Sequence, residues 1–241
     1  MDIRTVAETG STNADLLGLA AGGSATAVPD GAWLRAERQT GGRGRQGRPW
    51  QSPPGNLYAS TVLYLRPGDP PPASLALVAA VALDESVRVF ATAAAGEGLA
   101  LKWPNDLLAA GAKLSGVLLE RTGDAVVIGF GVNLAHHPEL PDRRTTSLRA
   151  LGADVEPGAF LEVLGEAMAR WRALWRAGGI DPVRRRWLER AHPIGTPLTA
   201  RLPDGSAVEG LFDGLDAQGA LRLRLAGGER RVIHAADIFL I

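Results

Sequence analysis

The periodicity of the chain changes at His192, and that change limits what it can fold into. Upstream, segments with apolar residues at helical spacing alternate with short runs rich in β-branched and aromatic residues. Downstream, Pro193, Gly195 and Pro197 break the helical pattern, and from Leu198 to Ile241 short strands alternate with turns at 203–206, 216–219 and 226–228. This predicts a small all-β module of about fifty residues, a size at which a single core is marginal, so the module must lean on the unit before it. The 241 residues are therefore divided into 1–191 and 192–241.

Within the first unit, Ser11, Thr12 and Asn13 precede a Leu/Ala-rich stretch that reads as a capped helix over 14–21. Strands are expected at 32–37 and 56–65, and one long helix over 73–95, stopped by Gly96 and Gly98. Three further strands fall at 99–103, 114–120 and 125–132, the first two joined through a turn at Ala109, Ala110 and Gly111. Helices return at 158–177, where Trp171 and Trp175 share a face, and at 182–191. The longest apolar run, 75–83, is far too short to cross a bilayer, and residues 1–13 are too polar for a signal peptide. With no cysteine there is no disulfide framework, thiolate zinc site or cysteine nucleophile, which fits a reducing compartment. A soluble cytoplasmic protein is expected.

The formal charge is +0, from 26 basic and 26 acidic residues, which argues against a protein that coats nucleic acid or a membrane surface. Yet within 35–48 five arginines face one acid, Glu37, on the glycine-rich loop GGRGRQGRPW. Glycines let a backbone approach a ligand closely, and arginines hold carboxylate or phosphate oxygens with paired donors. The loop lacks the GKS or GKT ending of a P-loop and the spaced GxGxxG of a dinucleotide fold, so a different anion site is needed. Lys102 and Lys113 are the only lysines among the 26 basic residues, and both lie in LKWPNDLLAAGAKLSGVLLE with Asn105, Asp106 and Glu120. Lysine is not interchangeable with arginine where a compact ammonium must meet an anion. Lys113 enters an apolar strand, where it either pairs with Asp106 or Glu120 or serves chemistry; Asp106 in turn pairs with a lysine or ligates Mg²⁺ beside a nucleotide. A third glycine pair, GFGVN at 129–133, lies within an apolar strand, marking close approach of a ligand or another backbone. Asn133 is the one polar side chain in that run.

Taken together, Ser11-Thr12-Asn13, Gln39, the loop 42–48 with Trp50, Lys102-Trp103-Pro104-Asn105-Asp106, the KLSGVLLE strand from Lys113 to Glu120, and Gly129 to Asn133 resemble the biotin protein ligases in order and spacing. The looser likeness of 210–225 is to that family's SH3-like C-terminal module. About ten residues precede Ser11, too few for a helix-turn-helix unit, so the resemblance is to the short form without a DNA-binding domain, and DNA is not an expected partner.

The resemblance implies an α+β fold related to class II aminoacyl-tRNA synthetases, with a mixed sheet and helices on one side. It implies two steps: biotin and ATP give biotinyl-5'-AMP and pyrophosphate, then biotin passes to a lysine of a biotin carboxyl carrier protein, the enzyme being monomer or homodimer. Carried over by motif, Lys113 contacts the biotin carboxylate and α-phosphate. Ser11, Thr12, Asn13, Gln39 and Gly42 bind biotin, with room left by Gly116, while Arg43, Gly44 and Arg45 close over it and Arg45 joins Lys113 in catalysis. ATP falls to Arg43, Arg48, Trp50, Lys102, Asn105 and Asn133, and Mg²⁺ to Asp106. Lipoate ligation, which shares the core and the adenylation logic, ranks below biotin because the GRGRxGRxW and KWPND blocks are those of the biotin branch. A biotin-sensing repressor is opposed by the neutral charge.

Overall fold

The computed structural model describes residues 1–22 and 28–240; Ile241, assigned to the C-terminal module, lies outside them. The first unit is built on a seven-stranded sheet of order β1-β2-β3-β7-β6-β5-β4. The strands are β1 (Ile3–Thr9), β2 (Trp33–Gln39), β3 (Leu57–Tyr64), β4 (Leu99–Lys102), β5 (Asp106–Ala109), β6 (Ala112–Thr122) and β7 (Ala125–Val132). Of the six adjacent pairs in this sheet, β1–β2 is parallel and the other five are antiparallel.

Alternation along the strands gives the sheet two different faces. Trp33, Leu57, Ala59, Leu63, Ile128, Phe130 and Val132 belong to the main core, with apolar side chains of α2 (Leu75–Phe90), α4 (Pro157–Gly178) and α5 (Asp181–Arg190). Leu34, Val62 and Val127 turn the other way and cluster with Leu16 of α1 (Thr12–Ala21). The helices are therefore not confined to one side: α1 covers the second face. Trp171 and Trp175 of α4 are buried as their spacing requires, and the Trp175 indole donates to Ser74 Oγ at 2.8 Å.

Three elements differ from expectation. Strand β1 was not anticipated because its polar residues lie on a sheet edge and are largely exposed, leaving no alternating apolar signal. The expected helix 73–95 breaks after Phe90, where Ala91 turns extended, and resumes as α3 (Ala93–Glu97) behind the Thr92 cap. Arg88 secures the break by bonding Asp84 at 3.0 Å, Gly96 O at 2.8 Å and Leu99 O at 3.3 Å. Between β4 and β6 the chain adds a strand, β5, turning at Ala110 (φ 47°) and Gly111 (φ 76°), the double positive-φ geometry of a tight hairpin.

The second unit is a five-stranded antiparallel sheet of order β11-β10-β9-β8-β12: β8 (Pro197–Arg201), β9 (Ala207–Leu215), β10 (Leu221–Arg224), β11 (Arg230–Ile233) and β12 (Asp237–Leu240). Its Leu198, Phe212, Leu223 and Ile238 join the same apolar cluster as the large sheet, with Phe212 against Trp187 of α5 at 6.3 Å between ring centroids. It leans on the larger unit as its size demands. Among the described residues no helix is long and apolar enough to cross a membrane.

Trp175 is fully buried and its only polar atom is satisfied. Trp175→Ala should lower the unfolding free energy by about 3–5 kcal/mol, read as a fall in the urea midpoint at unchanged m-value.

Candidate functional site

A cavity of about 490 Å³ opens on the α1 face of the large sheet. Every residue expected at the site from the sequence lines it except Gly42. At one end stands a chain of hydrogen bonds. Gln39 Oε1 accepts from the Thr12 backbone N–H at 2.9 Å and from Thr12 Oγ1 at 3.1 Å. Thr12 Oγ1 lies 2.7 Å from Ser60 Oγ, which donates to Asn13 Oδ1 at 2.6 Å, and Asn13 Nδ2 donates to Glu120 at 2.8 Å. Ser11 caps the helix, accepting from the Ala14 N–H at 3.5 Å. Thr12, Asn13 and Ser60 are all buried, so this chain is a rigid polar surface rather than a solvated one.

The floor is made of glycines. Gly129 faces the Asn13 amide so closely that a β-carbon there would overlap it, and a β-carbon on Gly131 would meet the Trp50 indole at 2.5–2.8 Å. Gly116, paired with Gly131 across β6 and β7, would bring a β-carbon to 3.2 Å from Lys113 Nζ. Side chains at these three positions would fill the cavity.

The glycine-rich loop is a closed hairpin. Gly44 N–H donates to Arg48 O at 2.7 Å and Trp50 N–H to Gly42 O at 2.9 Å, with Gln46 (φ 58°) and Gly47 (φ 71°) at the tip. Gly42 is outside the cavity wall because it packs behind it: a β-carbon there would lie 2.7 Å from Trp50 O and 2.8 Å from Ser52 Oγ. Its contribution is to let the loop approach Gln39. Arg45 donates to Ala236 O at 2.9 Å, and Arg48 donates to Asp237 Oδ2 at 2.7 Å.

Both lysines converge on one carboxylate. Lys113 Nζ donates to Asp106 Oδ1 at 2.6 Å, while Lys102 Nζ lies 3.2 Å from Oδ2 and donates to Ile238 O at 3.0 Å. Burial alone would raise the Asp106 pKa, but the two ammonium groups, Lys113 foremost, outweigh it and hold the carboxyl at about 2. Burial lowers the Lys102 pKa, which Asp106 opposes and Lys113 reinforces. The expected magnesium ligand does not fit this arrangement. Each oxygen of Asp106 is taken by a cation, and two ammonium groups would repel a divalent ion. Asn105 and Asn133 line the cavity, but their amides are committed to the frame: Asn105 Nδ2 bonds Val117 O, and Asn133 Nδ2 donates to Thr146 O at 3.0 Å.

Sequence reasoning missed Ser60, the loop 138–145 and strand β12, all of which line the cavity. Ser60 stands beside Thr61 in β3, so which of the two faces the site is readable only once α1 is known to cover that side. The loop arrives because the Lys113 N–H donates to Arg144 O at 2.8 Å, and it brings Arg143 and Asp142. Asn56, singled out only by its rarity, anchors the loop's start: its Oδ1 accepts from the N–H groups of Leu134, Ala135 and His136 at 2.9–3.0 Å. The wall thus carries Arg43, Arg45, Arg48, Lys102, Lys113, Arg143 and Arg144 against Asp106, Asp142 and Asp237, a surplus of four positive charges in a neutral protein.

Residues 25–133 match the Biotin/lipoate A/B protein ligase family and 194–241 the Biotin protein ligase C terminal domain. The biotin--[acetyl-CoA-carboxylase] ligase of Paracoccus denitrificans is 41% identical over 97% of this chain and 98% of its own length. The chain belongs to the biotin protein ligase family. This ligase shares its fold with the biotin protein ligase of Aquifex aeolicus in complex with biotin and ATP, at a TM-score of 0.84 and 24% identity over 100% and 99% of the two chains. The biotin protein ligase of Leishmania major in complex with biotinyl-5-AMP superposes with a TM-score of 0.68 and 25% identity, over 97% and 99%.

The depressed pKa of Asp106 makes the stability of the ligase acid-sensitive. A lowered carboxyl contributes fully above its ordinary value of 3.8 and loses that contribution as pH falls towards about 2. Asp106→Asn leaves two half-buried ammonium groups unpaired and should cost on the order of 3 kcal/mol near neutrality. The urea midpoints of variant and wild type, measured across pH, should converge between pH 4 and pH 2; a gap that stayed constant would refute the ion-pair origin.

Proposed function

We infer that this ligase activates biotin with ATP, the biotin carboxylate displacing pyrophosphate from the α-phosphorus to give biotinyl-5'-AMP. The amine of an acceptor lysine, on the carrier domain of a biotin-dependent carboxylase, then attacks the acyl carbon; AMP leaves and the amine's proton passes to solvent. The observation that carries this reading is a single cavity in which a buried hydrogen-bonding chain and a cluster of cations share one floor of glycines. The ureido group of biotin offers donors and acceptors to Thr12, Gln39 and Ser60, which the dithiolane of lipoate lacks.

Two anions must be joined, so the chemistry is orientation and electrostatic stabilisation. Lys113 is the group for the reacting centre. Its ammonium is held at 2.6 Å by Asp106, beside Gly116 and 5.7 Å from the Trp50 ring centroid, and its stem is fixed by strand pairing of its backbone on both sides. An ammonium aimed in advance needs no reorganisation when charge builds on the oxygens between carboxyl carbon and phosphorus. Arg43, Arg45 and Arg48 meet the phosphates from the hairpin, and Trp50 borders the base. Asp106 supplies no base chemistry at neutral pH, because its pKa of about 2 makes it a very weak proton acceptor. Its function is to orient the lysines.

The deciding experiment is ATP–pyrophosphate exchange, expected with biotin and absent with lipoate; exchange driven by lipoate would overturn the assignment. In that assay Lys113→Ala should slow exchange by orders of magnitude, the loss of one preorganised charged donor being worth about 3–4 kcal/mol. Lys113→Arg should be almost as poor, since a planar guanidinium cannot occupy the space beside Gly116. A wild-type rate in either variant would make Lys113 a structural residue.

A further inference from the structure

Three cations of the anion site reach outward to three successive residues of the C-terminal module. Arg45 bonds Ala236 O at 2.9 Å, Arg48 bonds the Asp237 carboxylate at 2.7 Å, and Lys102 bonds Ile238 O at 3.0 Å. Two of these partners are backbone carbonyls that any residue would supply. The third is a side chain, and it also lies 3.8 Å from Arg45. Asp237 is 17% exposed, while Arg48 and Arg45 retain 38% and 28%. The carboxylate therefore sits deeper than the guanidinium groups it holds.

We propose that Asp237 is a positioning residue for the adenylation step, anchoring the glycine-rich hairpin to β12 so that Arg45 and Arg48 are already aligned when the triphosphate arrives. The proposal rests on the ligase reading above and adds the residue that makes the C-terminal module part of the ATP site. The donor inventory permits both tasks at once. Arg48 has committed Nε to Arg45 O and Nη2 to Asp237 and Gln46, and among the described residues its Nη1 has no hydrogen-bond partner. Among the described residues Arg45 has committed only Nη2. Guanidinium groups carry five donors in a rigid fork, so a carboxylate on one edge fixes the plane in which the remaining donors meet phosphate.

The placement explains why a neutral protein keeps an acid within a phosphate site. Without Asp237, Arg45, Arg48, Lys102 and Arg143 would line the same wall with no negative charge from β12. Repulsion among them would favour an open hairpin, and its ordering would have to be supplied by ATP itself. A charge spent on holding the loop therefore costs some Coulomb attraction for the triphosphate and offsets it with preorganisation.

Two variants test this, Asp237→Asn, which keeps shape and strand pairing with Arg201 but removes the charge, and Asp237→Glu, which restores it. In biotin-dependent pyrophosphate exchange, Asp237→Asn should raise KM for ATP about tenfold, leave KM for biotin within about twofold, and leave the melting temperature unchanged; Asp237→Glu should recover most of the ATP effect. An unchanged or lowered KM for ATP would overturn the proposal, the lowered value showing that Asp237 merely competes with phosphate for Arg48. Equal rises for both substrates, or a drop in melting temperature that Asp237→Glu shares, would reduce Asp237 to a structural residue and also overturn it. A second readout needs no activity: without substrates, trypsin should cut after Arg43 and Arg45 several-fold faster in Asp237→Asn than in wild type, and equal rates would refute the latch. Should wild type fail in exchange while the cleavage difference holds, the ligase reading falls and the latch stands.

Discussion

One carboxylate holds the site together. Lys102 and Lys113 approach the same point from different strands, and two ammonium groups brought so close would repel each other and drive the hairpin β4–β5 away from β6. Asp106, bonded to Lys113 at 2.6 Å and 3.2 Å from Lys102, converts that repulsion into a cross-strand tie. The register shift between Leu107 and Leu108 in the β5–β6 ladder places Lys113 opposite Leu108 and Gly116 opposite Asp106. The ammonium thus lies over a glycine, where there is room for it. Adjacent backbone is held by Asn105, whose amide and carbonyl both bond Val117.

From that tie the two faces of the sheet acquire separate tasks. The face under α2, α4 and α5 is closely packed with large apolar side chains and supplies stability. The α1 face replaces bulk with Gly116, Gly129 and Gly131, so the same strands that build the core leave an opening opposite it. A strand glycine normally weakens a sheet. Here β7 is central, paired with β3 and β6 along its length, and those ladders compensate for the missing side chains.

The C-terminal module completes this site rather than hanging from it. Its core is continuous with the large one through Trp187 and Phe212, the Trp103 indole donates to Gly219 O at 3.1 Å, and β12 closes the cation-lined wall. Cations on the glycine-rich hairpin and on β4 bond residues 191 and 136 positions further along the chain.

Much of this was decided by sequence alone, because it depends on residue types in short windows. Helical spacing marked α1, α4 and α5, β-branched runs marked β2, β3, β6 and β7, and rare residues marked Lys102, Lys113, Asn105 and Asn133 within an arginine-rich chain. The glycine-arginine loop announced an anion site, and the family followed from the order of those motifs. What needed the tertiary structure was every partnership across distance. A polar edge strand such as β1 carries no apolar alternation, so only its pairing with β2 reveals it. The break after Phe90 depends on where Arg88 finds carbonyls. The sequence left Asp106 open between lysine partner and metal ligand, a choice made by the two ammonium groups that converge on it from separate strands. Asp237, Arg143 and Ser60 sit in unremarkable local sequence and enter the site only because sheet order, loop anchoring and module docking bring them there, and such long-range closure leaves no trace in a local pattern.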